Sequence, residues 1–316
     1  MIAVSLVGRI GNQLFIYAAA EAIRQKRGRN EKIVFFDHSI LDKGWKNSLE
    51  DYPLDNVIYE HDYNKRSFVT RMQIYIVKIL YKLIGVSNPK RRFAFERKCQ
   101  TLLNMLGIVA CRDGYLPIRT PKTRNVWIMG YFQSKQYFED IAPMIREKYM
   151  YRLPILREKD YVQQLESRNS VCISIKVEHN AGDPLFDVCD KEYYTKAIQY
   201  ITEYVEKPLF FICSDNVPYV LEHYIDASKY DYICQEKGLS VSDSLAIMGT
   251  CKHYVIGNTS FGWWAQFLSA NPNKIVVAPN RWYREENMPV DIWSKNWHLI
   301  DVTDYITSTK DYYEQQ

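Results

Sequence analysis

The 316-residue chain is expected to fold as an α/β protein with two domains, for three reasons. It opens with a strand, a glycine turn, a helix and a second strand, which together make a β-α-β unit. Its second half alternates strand and helix patterns, which is typical of a parallel sheet with helices on both faces. The chain is also longer than the size at which single cores usually divide. A proline-containing turn at 152–160 is the expected boundary, which gives domains 1–152 and 153–316.

The first half is assigned from its apolar periodicity and its turn residues. The predicted elements are strands at 2–7, 32–37 and 126–132 and helices at 13–28, 71–85 and 134–150. Gly28 is suited to the C-cap of the first helix because glycine tolerates the left-handed conformation there. Residues 41–64 are rich in turn formers and predict irregular structure.

The second half repeats one pattern, a short apolar strand followed by a helix. The predicted strands are 171–178, 208–213, 231–234, 252–257 and 274–278, and the predicted helices are 191–205, 216–224, 242–250 and 260–269. We therefore expect a Rossmann-like domain in this half, in which the carboxyl ends of the strands meet at one edge of the sheet.

Composition and charge exclude several classes of protein. The net charge of +4 suits an anionic small molecule or a membrane surface and is too weak to indicate nucleic-acid binding. No uncharged apolar run reaches the length of a membrane span, and we expect a cytoplasmic protein without a secretory segment. The seven cysteines form no CxxC pair and are odd in number, which argues against a zinc knuckle and a disulfide framework.

Residues 71–98 form a basic amphipathic stretch that has two interpretations. It can rest on a membrane surface, at the inner face of the membrane, or hold a lipid-linked substrate. It can equally be a domain helix with a solvated face.

The stretch GRIGNQ places glycines between the first strand and the first helix. Gly8 and Gly11 let the backbone approach a ligand closely, and Asn12 adds a polar side chain. A tight turn without a ligand explains the same residues. The stretch lacks the third glycine of a dinucleotide fingerprint, which makes an NAD-dependent dehydrogenase improbable.

Two further strand ends carry residues suited to nucleotide binding. Asn258, Thr259 and Ser260 precede the helix that starts at Phe261, and the free N–H groups of such a helix start bind phosphates. Phe261 and Trp263 or Trp264 are candidates to wall a base or sugar, and a capped helix with a buried aromatic core is the alternative. In the stretch CSDN (213–216), Ser214 and Asp215 either cap a helix or accept hydrogen bonds from a nucleotide.

The stretch SIKVEHNAGD (174–183) predicts a strand end with charges. Its period of two places Lys176 and Glu178 on one face, where a buried parallel strand is normally apolar. A structural ion pair, protection of a sheet edge and a catalytic motif all remain as explanations.

Four stretches, in the same order along the chain, resemble glycosyltransferase family 11, the α-1,2-fucosyltransferases. GRIGNQLFIYAAAEAI resembles the opening of that family, and GRIGNQ also resembles a loop of protein O-fucosyltransferases. GYFQSKQYF (130–138) is similar to its Gly-Tyr-Trp-Gln-Ser motif, with Phe132 in the tryptophan position. CSDN resembles its Phe-Ser-Asp-Asp stretch, and residues 244–279 resemble its C-terminal signature.

The resemblance implies a GT-B-like fold, with two Rossmann-type domains facing a central cleft and a GDP-sugar held mainly by the second. It implies inverting transfer without a metal or cofactor, from a nucleotide-sugar donor to a glycan acceptor in surface polysaccharide or oligosaccharide synthesis. Carried over to this chain, the resemblance implies that Asn12 and the loop from Gly8 to Gly11 face the reacting sugar. It implies a donor site formed by Gly8, Arg9, Gly11, Asp183, Ser214, Asp215, Asn258, Thr259, Ser260 and Phe261.

The chain departs from the family at the strand motif His-x-Arg-(Arg)-Gly-Asp. Alignment through Ser174 and Gly182-Asp183 puts Lys176 in the histidine position and Glu178 in the arginine position, with two extra residues in the turn. A carboxylate there repels the diphosphate that a guanidinium would bind. Lys176, protonated His179 or Arg9 can supply the missing positive charge, and Glu178 can bind sugar hydroxyls or act as general base.

The sequence therefore predicts a fucosyltransferase-like enzyme that uses GDP-fucose by default. Two alternatives remain, a family member with a different nucleotide-sugar donor and a catalytically weakened protein that binds nucleotide sugar or glycan.

Overall fold

The computed structural model describes residues 1–85, 88–178 and 180–310, and within them the chain forms two compact units. The first consists of Met1–Lys148 and Asn287–Ile292, and the second of Tyr149–Glu286 with the described residues from Trp293 on. Each unit contains one parallel sheet with helices, so the predicted α/β class is confirmed. The division after Lys148 lies a few residues before the boundary predicted from sequence. The assignment of an acceptor role to the first domain and a donor role to the second stays a prediction.

The first unit has a five-stranded sheet in the order β3-β2-β1-β5-β4, and every neighbouring pair is parallel. Its strands are β1 Ile2–Ser5, β2 Ile33–Phe36, β3 Val57–Glu60, β4 Ile108–Cys111 and β5 Val126–Gly130. Its helices are α1 Ile10–Arg27, α2 His38–Leu41, α3 Phe68–Ile84, α4 Pro89–Met105 and, across the division, α5 Ala142–Tyr149. Both edge strands, β3 and β4, were not predicted from the sequence; each has four residues, and β3 is only partly buried.

The second unit has a six-stranded sheet in the order β11-β10-β9-β6-β7-β8, which is also parallel throughout. Its strands are β6 Ser170–Ile175, β7 Leu209–Ser214, β8 Tyr232–Cys234, β9 His253–Ile256, β10 Val276–Pro279 and β11 His298–Ile300. Its helices are α6 Leu153–Leu156, α7 Asp160–Ser167, α8 Lys191–Tyr204, α9 Val217–His223, α10 Val241–Met248, α11 Ser260–Leu268 and α12 Thr303–Ser308. The inward faces of β6, β7 and α8 share one apolar core.

Several predicted elements differ in extent from the observed ones. The helix expected at 134–150 is instead a pair of 3-10 turns, Lys135–Tyr137 and Glu139–Ile141, followed by α5. Phe138 interrupts the helical path because its backbone lies outside the α region, at φ −135° and ψ 20°. The strand expected at 171–178 ends at Ile175, for a reason that the site geometry gives.

No helix in the described ranges is long and apolar enough to cross a membrane.

Candidate functional site

Three of the strand ends singled out in the sequence meet at one edge of the second sheet. β6 lies between β9 and β7, so the residues that follow these strands are neighbours. A narrow pocket opens there, and its lining includes Lys176, Asn180, Tyr194, Gly257, Asn258 and Thr259. The carboxyl edge of a parallel sheet is where such folds bind ligands.

Beyond Ile175 the backbone leaves the sheet because the side chain of Asp215 binds it. The Oδ1 atom of Asp215 accepts a hydrogen bond from the Val177 N–H at 2.8 Å, and Oδ2 accepts one from the Glu178 N–H at 3.2 Å. The expectation that Lys176 and Glu178 share one strand face is therefore wrong. Lys176 is half-buried at the pocket, Glu178 is exposed, and His179 lies outside the described residues.

Ser214 and Asp215 act on the loops around the pocket rather than on a helix. The Ser214 hydroxyl oxygen accepts a hydrogen bond from the Asn216 N–H at 3.0 Å. Asn216, not Ser214 or Asp215, caps α9 by accepting from the Tyr219 N–H at 3.2 Å. Because both oxygens of Asp215 bind the segment after β6, this carboxylate positions Lys176 and Glu178.

The start of α11 is suited to an anion. The Thr259 hydroxyl oxygen accepts from the Gly262 N–H at 3.0 Å and caps the helix. Among the described residues none accepts a hydrogen bond from the N–H of Ser260 or Phe261, and both residues are half-buried. These N–H groups lie at the positive end of the helix dipole, where a phosphate is stabilised.

Two glycines allow close packing at this edge, Gly257 against Tyr194 of α8 and Gly262 of α11 against β6. A Cβ atom on Gly257 would lie 2.7 Å from the Tyr194 hydroxyl oxygen, and one on Gly262 would lie 3.1 Å from the Ser174 hydroxyl oxygen. A side chain at Gly257 would therefore occupy the pocket itself.

The two tryptophans of α11 are core residues. Trp264 packs edge-on against Tyr149 with ring centroids 5.2 Å apart, and Trp263 stacks on Phe267 at 5.2 Å. Both tryptophans are buried, so the expectation that one of them walls a base or sugar is wrong. Phe261 remains half-buried at the start of the helix.

Asn258 fixes the loops that surround the pocket. Its Nδ2 donates to the carbonyl oxygens of Phe186 at 2.8 Å and Trp282 at 2.9 Å, and the side chain is buried. Asp183 has a similar local role, because its Oδ1 accepts from the N–H groups of Leu185 and Phe186. In this geometry both side chains shape the loops around the pocket, and the N–H groups suited to an anion lie on the backbone after Thr259.

Three residues that line the pocket, Tyr194, Tyr224 and Asp187, were not found by sequence reasoning. Burial raises the pKa of Tyr194 well above its ordinary value, and burial, with Asp187 nearby, raises that of Tyr224 to about 12. Both phenols therefore stay neutral and can donate hydrogen bonds. The Oδ2 atom of Asp187 accepts from the Gly182 N–H and from the Tyr305 hydroxyl, each at 3.0 Å. No motif marks these residues, since the fold brings them together.

In the first unit, the GRIGNQ stretch forms a turn and the first turn of α1. Gly8 has φ +75°, and a Cβ atom on it would lie 2.4 Å from the Asn12 side chain, so only glycine fits. The helix begins at Ile10, earlier than predicted, because the Arg9 carbonyl accepts from the N–H groups of Asn12 and Gln13. Gly11 is thus helical rather than part of the loop.

Two of the sequence motifs meet in the first unit. The Oδ1 atom of Asn12 accepts a hydrogen bond from Nε2 of Gln133, in the GYFQS motif, at 2.7 Å. Phe132, just before Gln133, is buried with φ +52°, a conformation that a bulky residue adopts only when its surroundings enforce it. Arg9 is exposed and places its guanidinium over the Trp45 ring at 5.4 Å.

Gln13 links the turn at Gly8 to the segment of Lys46 and Ser48. Its Nε2 donates to the carbonyl oxygens of Gly8 at 2.9 Å and Lys46 at 3.0 Å, and its Oε1 accepts from the Ser48 N–H at 2.7 Å. The polar residues at the ends of β1 and β2 are therefore held in one network.

An aspartate and a histidine that the sequence analysis did not single out lie at the same edge. Asp37 is fully buried; its Oδ1 is 2.8 Å from Nδ1 of His61 and its Oδ2 accepts from Nδ2 of Asn47 at 2.9 Å. Since a carboxylate only accepts, His61 donates from Nδ1, and its Nε2 can accept a proton. The hydrogen bond to Asp37 raises the pKa of His61.

Asp37, Glu50 and His61 are the described group that could hold a metal ion, with ligand atoms within 4.8 Å of one another. Both Asp37 oxygens already bind His61 and Asn47, so a metal ion would have to displace these bonds.

Comparison with known proteins identifies the family. The model of glycosyl transferase family 11 matches residues 112–301, which is more than half of the chain. The chain belongs to glycosyltransferase family 11. It is 23% identical to an α-1,2-colitosyltransferase of Escherichia coli, over 94% of this chain and 97% of that protein. It is also 23% identical to the O-antigen biosynthesis glycosyltransferase WbnK of Escherichia coli, over 91% of this chain and 98% of that one.

A solved structure supports the fold. The chain is similar to NodZ, an α-1,6-fucosyltransferase from Bradyrhizobium, in a crystal soaked with GDP-fucose, with a TM-score of 0.52 and 13% identity over 87% of this chain and 94% of that chain. At this identity the likeness shows the fold alone. The predicted GT-B-like class, with a Rossmann-type sheet in each of two units, is thereby confirmed.

Proposed function

We propose that this family 11 glycosyltransferase transfers L-fucose from GDP-fucose to a hydroxyl of a glycan acceptor, forming an α-1,2 linkage with inversion. The observation that carries the proposal is the pocket edge of the second unit, where Lys176 lies beside the start of α11. A cation and free amide N–H groups at one sheet edge suit a diphosphate. The structure of NodZ soaked with GDP-fucose has the same fold.

The proposed reaction depends on stabilising the leaving group. The acceptor oxygen attacks C1 of fucose, the bond from C1 to the diphosphate oxygen breaks, and negative charge builds up on GDP. The Lys176 ammonium and the N–H groups of Ser260 and Phe261 stabilise that charge. Donors placed where charge develops contribute on the order of 3 kcal/mol each in comparable sites.

The acceptor hydroxyl must lose its proton as the new bond forms. We propose that the Glu178 carboxylate, which is exposed, accepts this proton. The backbone N–H of Glu178 donates a hydrogen bond to Asp215, which holds the residue in place. A positioned general base typically contributes about 10²- to 10⁴-fold to the rate. With Lys176 as the charge that faces the diphosphate, the proposal needs no metal ion or cofactor.

We further propose that the acceptor is a growing, lipid-linked surface polysaccharide or oligosaccharide at the cytoplasmic face of the membrane. The relative named for O-antigen biosynthesis supports this assignment, because the match covers 91% of this chain and 98% of that protein.

A second candidate is transfer of a different sugar. Glu178 replaces the arginine that the family resemblance leads one to expect, and one relative is named for transfer of colitose. Colitose is fucose without its 3-hydroxyl group. A site that hydrogen-bonds a hydroxyl rejects an analogue without it by about 10⁴-fold or more, so the two donors can be told apart. A third candidate, a weakened enzyme that only binds nucleotide sugar, follows from the same substitution.

The deciding experiment presents purified protein with GDP-fucose, GDP-colitose and other nucleotide sugars. Slow donor hydrolysis is measured first, and transfer to galactoside acceptors second, both with and without EDTA. We expect turnover of GDP-fucose that EDTA leaves unchanged. Preference for GDP-colitose would establish the second candidate, and GDP binding without turnover of any donor the third.

The variant Glu178→Arg restores the residue that the family motif has at this position. If divergence here alone changed the donor, this variant uses GDP-fucose better than the parent protein. Loss of activity would instead give Glu178 a role of its own, as the general base proposed above.

A further inference from the structure

Helix α3 of the first unit carries large apolar residues on its exposed face as well as on its buried face, where Ile74 and Val77 join the core. Its exposed face carries large apolar side chains in successive turns, namely Phe68, Val69, Met72, Tyr75, Ile79 and Leu83. Its buried residues include Thr70 and Gln73, which are polar. An ordinary surface helix has its large apolar residues on the core side and a polar face toward solvent, so the exposed apolar face of α3 is unusual.

The buried polar residues of α3 make hydrogen bonds that fix this orientation, although the buried Oε1 atom of Gln73 has no partner among the described residues. Nε2 of Gln73 donates to the carbonyl oxygens of Leu106 at 2.9 Å and Gly107 at 3.2 Å. Thr70 binds the Ser67 hydroxyl at 2.9 Å, at the N-cap of the helix. A rotation of the helix that buried the apolar stripe would break these bonds.

The neighbouring helix α4 also has exposed apolar residues. It packs against α3, with the rings of Tyr81 and Phe95 edge to face at 6.2 Å. Leu102 and Met105, near its end, are exposed. Nine of the nineteen exposed large hydrophobic residues in the described ranges lie on α3, α4 or the residue that follows, which concentrates them in one part of the chain.

Positive charge accompanies this apolar surface. Residues 68–105 contain eight lysines and arginines and one acidic residue, a net charge of +7 in a chain of +4, so the rest carries −3. The acidic residue, Glu96, is buried and accepts a hydrogen bond from the Tyr81 hydroxyl. Arg71, Lys78 and Lys82 lie exposed between the apolar residues of α3.

We propose that the exposed faces of α3 and α4, here called the docking face, bind the surface of an anionic phospholipid bilayer. Apolar residues that alternate with lysine and arginine are typical of helices that lie in the membrane interface. At 17 residues, α3 is about 25 Å long, which is enough to lie along a bilayer. This inference deepens the proposed function, because it would bring the enzyme to a lipid-linked acceptor.

A second copy of the chain fits the docking face less well than an anionic bilayer does. A two-fold dimer through this face would place the same positive surface on both sides of the contact. Like charges at close range disfavour such an interface, whereas anionic headgroups neutralise them. The charge therefore selects lipid over self-association.

The test is flotation of the full-length protein with vesicles of phosphatidylcholine alone and of phosphatidylcholine with 30% phosphatidylglycerol. Binding is expected only to the anionic vesicles, and it should weaken as salt increases. The double variant Phe68→Ser/Leu83→Ser should lower the partition constant about tenfold or more, because each side chain is 77% exposed and inserts. Lys78→Gln/Lys82→Gln should lower it about tenfold on anionic vesicles.

The matched control is Ile155→Ser/Tyr204→Ser, which removes two residues of the second unit that are 61% and 63% exposed. This control should bind vesicles as the parent protein does. Equal loss in the control, equal binding to neutral vesicles, or no vesicle binding would overturn the proposal. A dimer in light scattering that Phe68→Ser/Leu83→Ser dissociates, without vesicle binding, would assign the face to self-association instead.

The experiment is independent of the sugar donor. Transfer to a water-soluble acceptor should be the same in the Phe68→Ser/Leu83→Ser variant and in the parent protein, so a wrong donor and a wrong docking face give different results.

Discussion

The carboxyl edges of the two sheets present different kinds of groups. At the edge of the second sheet the carboxylates of Asp215 and Asp183 accept hydrogen bonds from backbone N–H groups, and Lys176 lines the pocket near the start of α11. At the edge of the first sheet, buried Asp37 holds His61 with one ring nitrogen open. At the second sheet, Lys176 and the N–H groups after Thr259 suit phosphate, and the exposed Glu178 is the proton acceptor proposed there. At the first sheet, the pair of Asp37 and His61 suits a hydroxyl group. The same topology thus gives different chemistry through the residues after each strand.

Glu178→Gln should have the largest effect on the reaction. If Glu178 is the general base, its amide replacement lowers kcat by about 10²- to 10⁴-fold, because the amide cannot take the proton. GDP affinity, measured by isothermal titration calorimetry, should be nearly unchanged. Glu203→Gln, at an exposed position on α8, is the matched control. A Glu178 variant with normal kcat would move the base elsewhere, and His61→Gln would be the next variant to assay.

Lys176→Ala should weaken donor binding rather than turnover. Loss of one charge-assisted contact to a diphosphate costs about 1.5–3 kcal/mol, so the Kd for GDP should rise about 10- to 100-fold. Lys176→Arg should recover part of the affinity, and the exposed Lys237→Ala should have no effect. Equal loss of kcat through Lys176→Ala and Glu178→Gln would contradict the separate roles given to them.

Asp215→Asn tests whether this carboxylate acts through the loop. The amide keeps one acceptor oxygen and loses the other, so one of the bonds to Val177 and Glu178 is lost. We expect a rise of about fivefold in both the Kd for GDP and the KM for donor, since one hydrogen bond contributes about 1 kcal/mol. If Asp215 bound the nucleotide base instead, the variant would bind GDP more weakly but would bind inorganic diphosphate as the parent protein does. This comparison separates the two roles.

In the first unit, a double-mutant cycle tests the contact between Asn12 and Gln133. Each alanine variant should lower kcat/KM for the acceptor a few-fold and leave the Kd for GDP unchanged, because the nucleotide contacts are assigned to the second unit. The two effects should be less than additive, since either variant removes the same 2.7 Å hydrogen bond. Additive effects, or a change in GDP affinity, would break the proposed division of roles between the two sheet edges.

Much of the fold follows from the sequence because local rules act there. The strand and helix alternation predicted β6 to β10 and the helices between them, and the Gly8 turn was marked by its glycine. The strand end after Ile175 could not be predicted, because it depends on Asp215, which is distant in sequence. Lys176 was found through a motif, whereas Tyr194 and Tyr224 carry no motif and reach the pocket only through packing.

Helix α11 is a second case in which local sequence does not decide the packing. The helix start and its cap at Thr259 were predicted, but the local sequence does not say which aromatic residues of that helix face the core. The fold decides this, by closing Trp263 and Trp264 into the interior and leaving Phe261 at the edge.

The smallest expected effect concerns stability at the first edge. The hydrogen bond to Asp37 raises the pKa of His61 above its unfolded value, and the charges of Asp37, Glu50 and Glu60 act in the same direction. Lys65 lies 3.3 Å from Glu60 and offsets part of that charge. A raised pKa means that protonated His61 stabilises the folded state below about pH 6.5, and that this contribution is lost as pH rises through the folded-state pKa.

His61→Gln should therefore destabilise the protein more at pH 5.5 than at pH 8.5 in urea unfolding. The difference should be small because the His61 side chain is 60% exposed and solvent screens the pair. In the Asp37→Asn background the same substitution should show no such pH dependence. A destabilisation that is equal at both pH values would mean that the ring is held by packing rather than by its charge, and the charged pair of Asp37 and His61 would then no longer distinguish the first edge from the second.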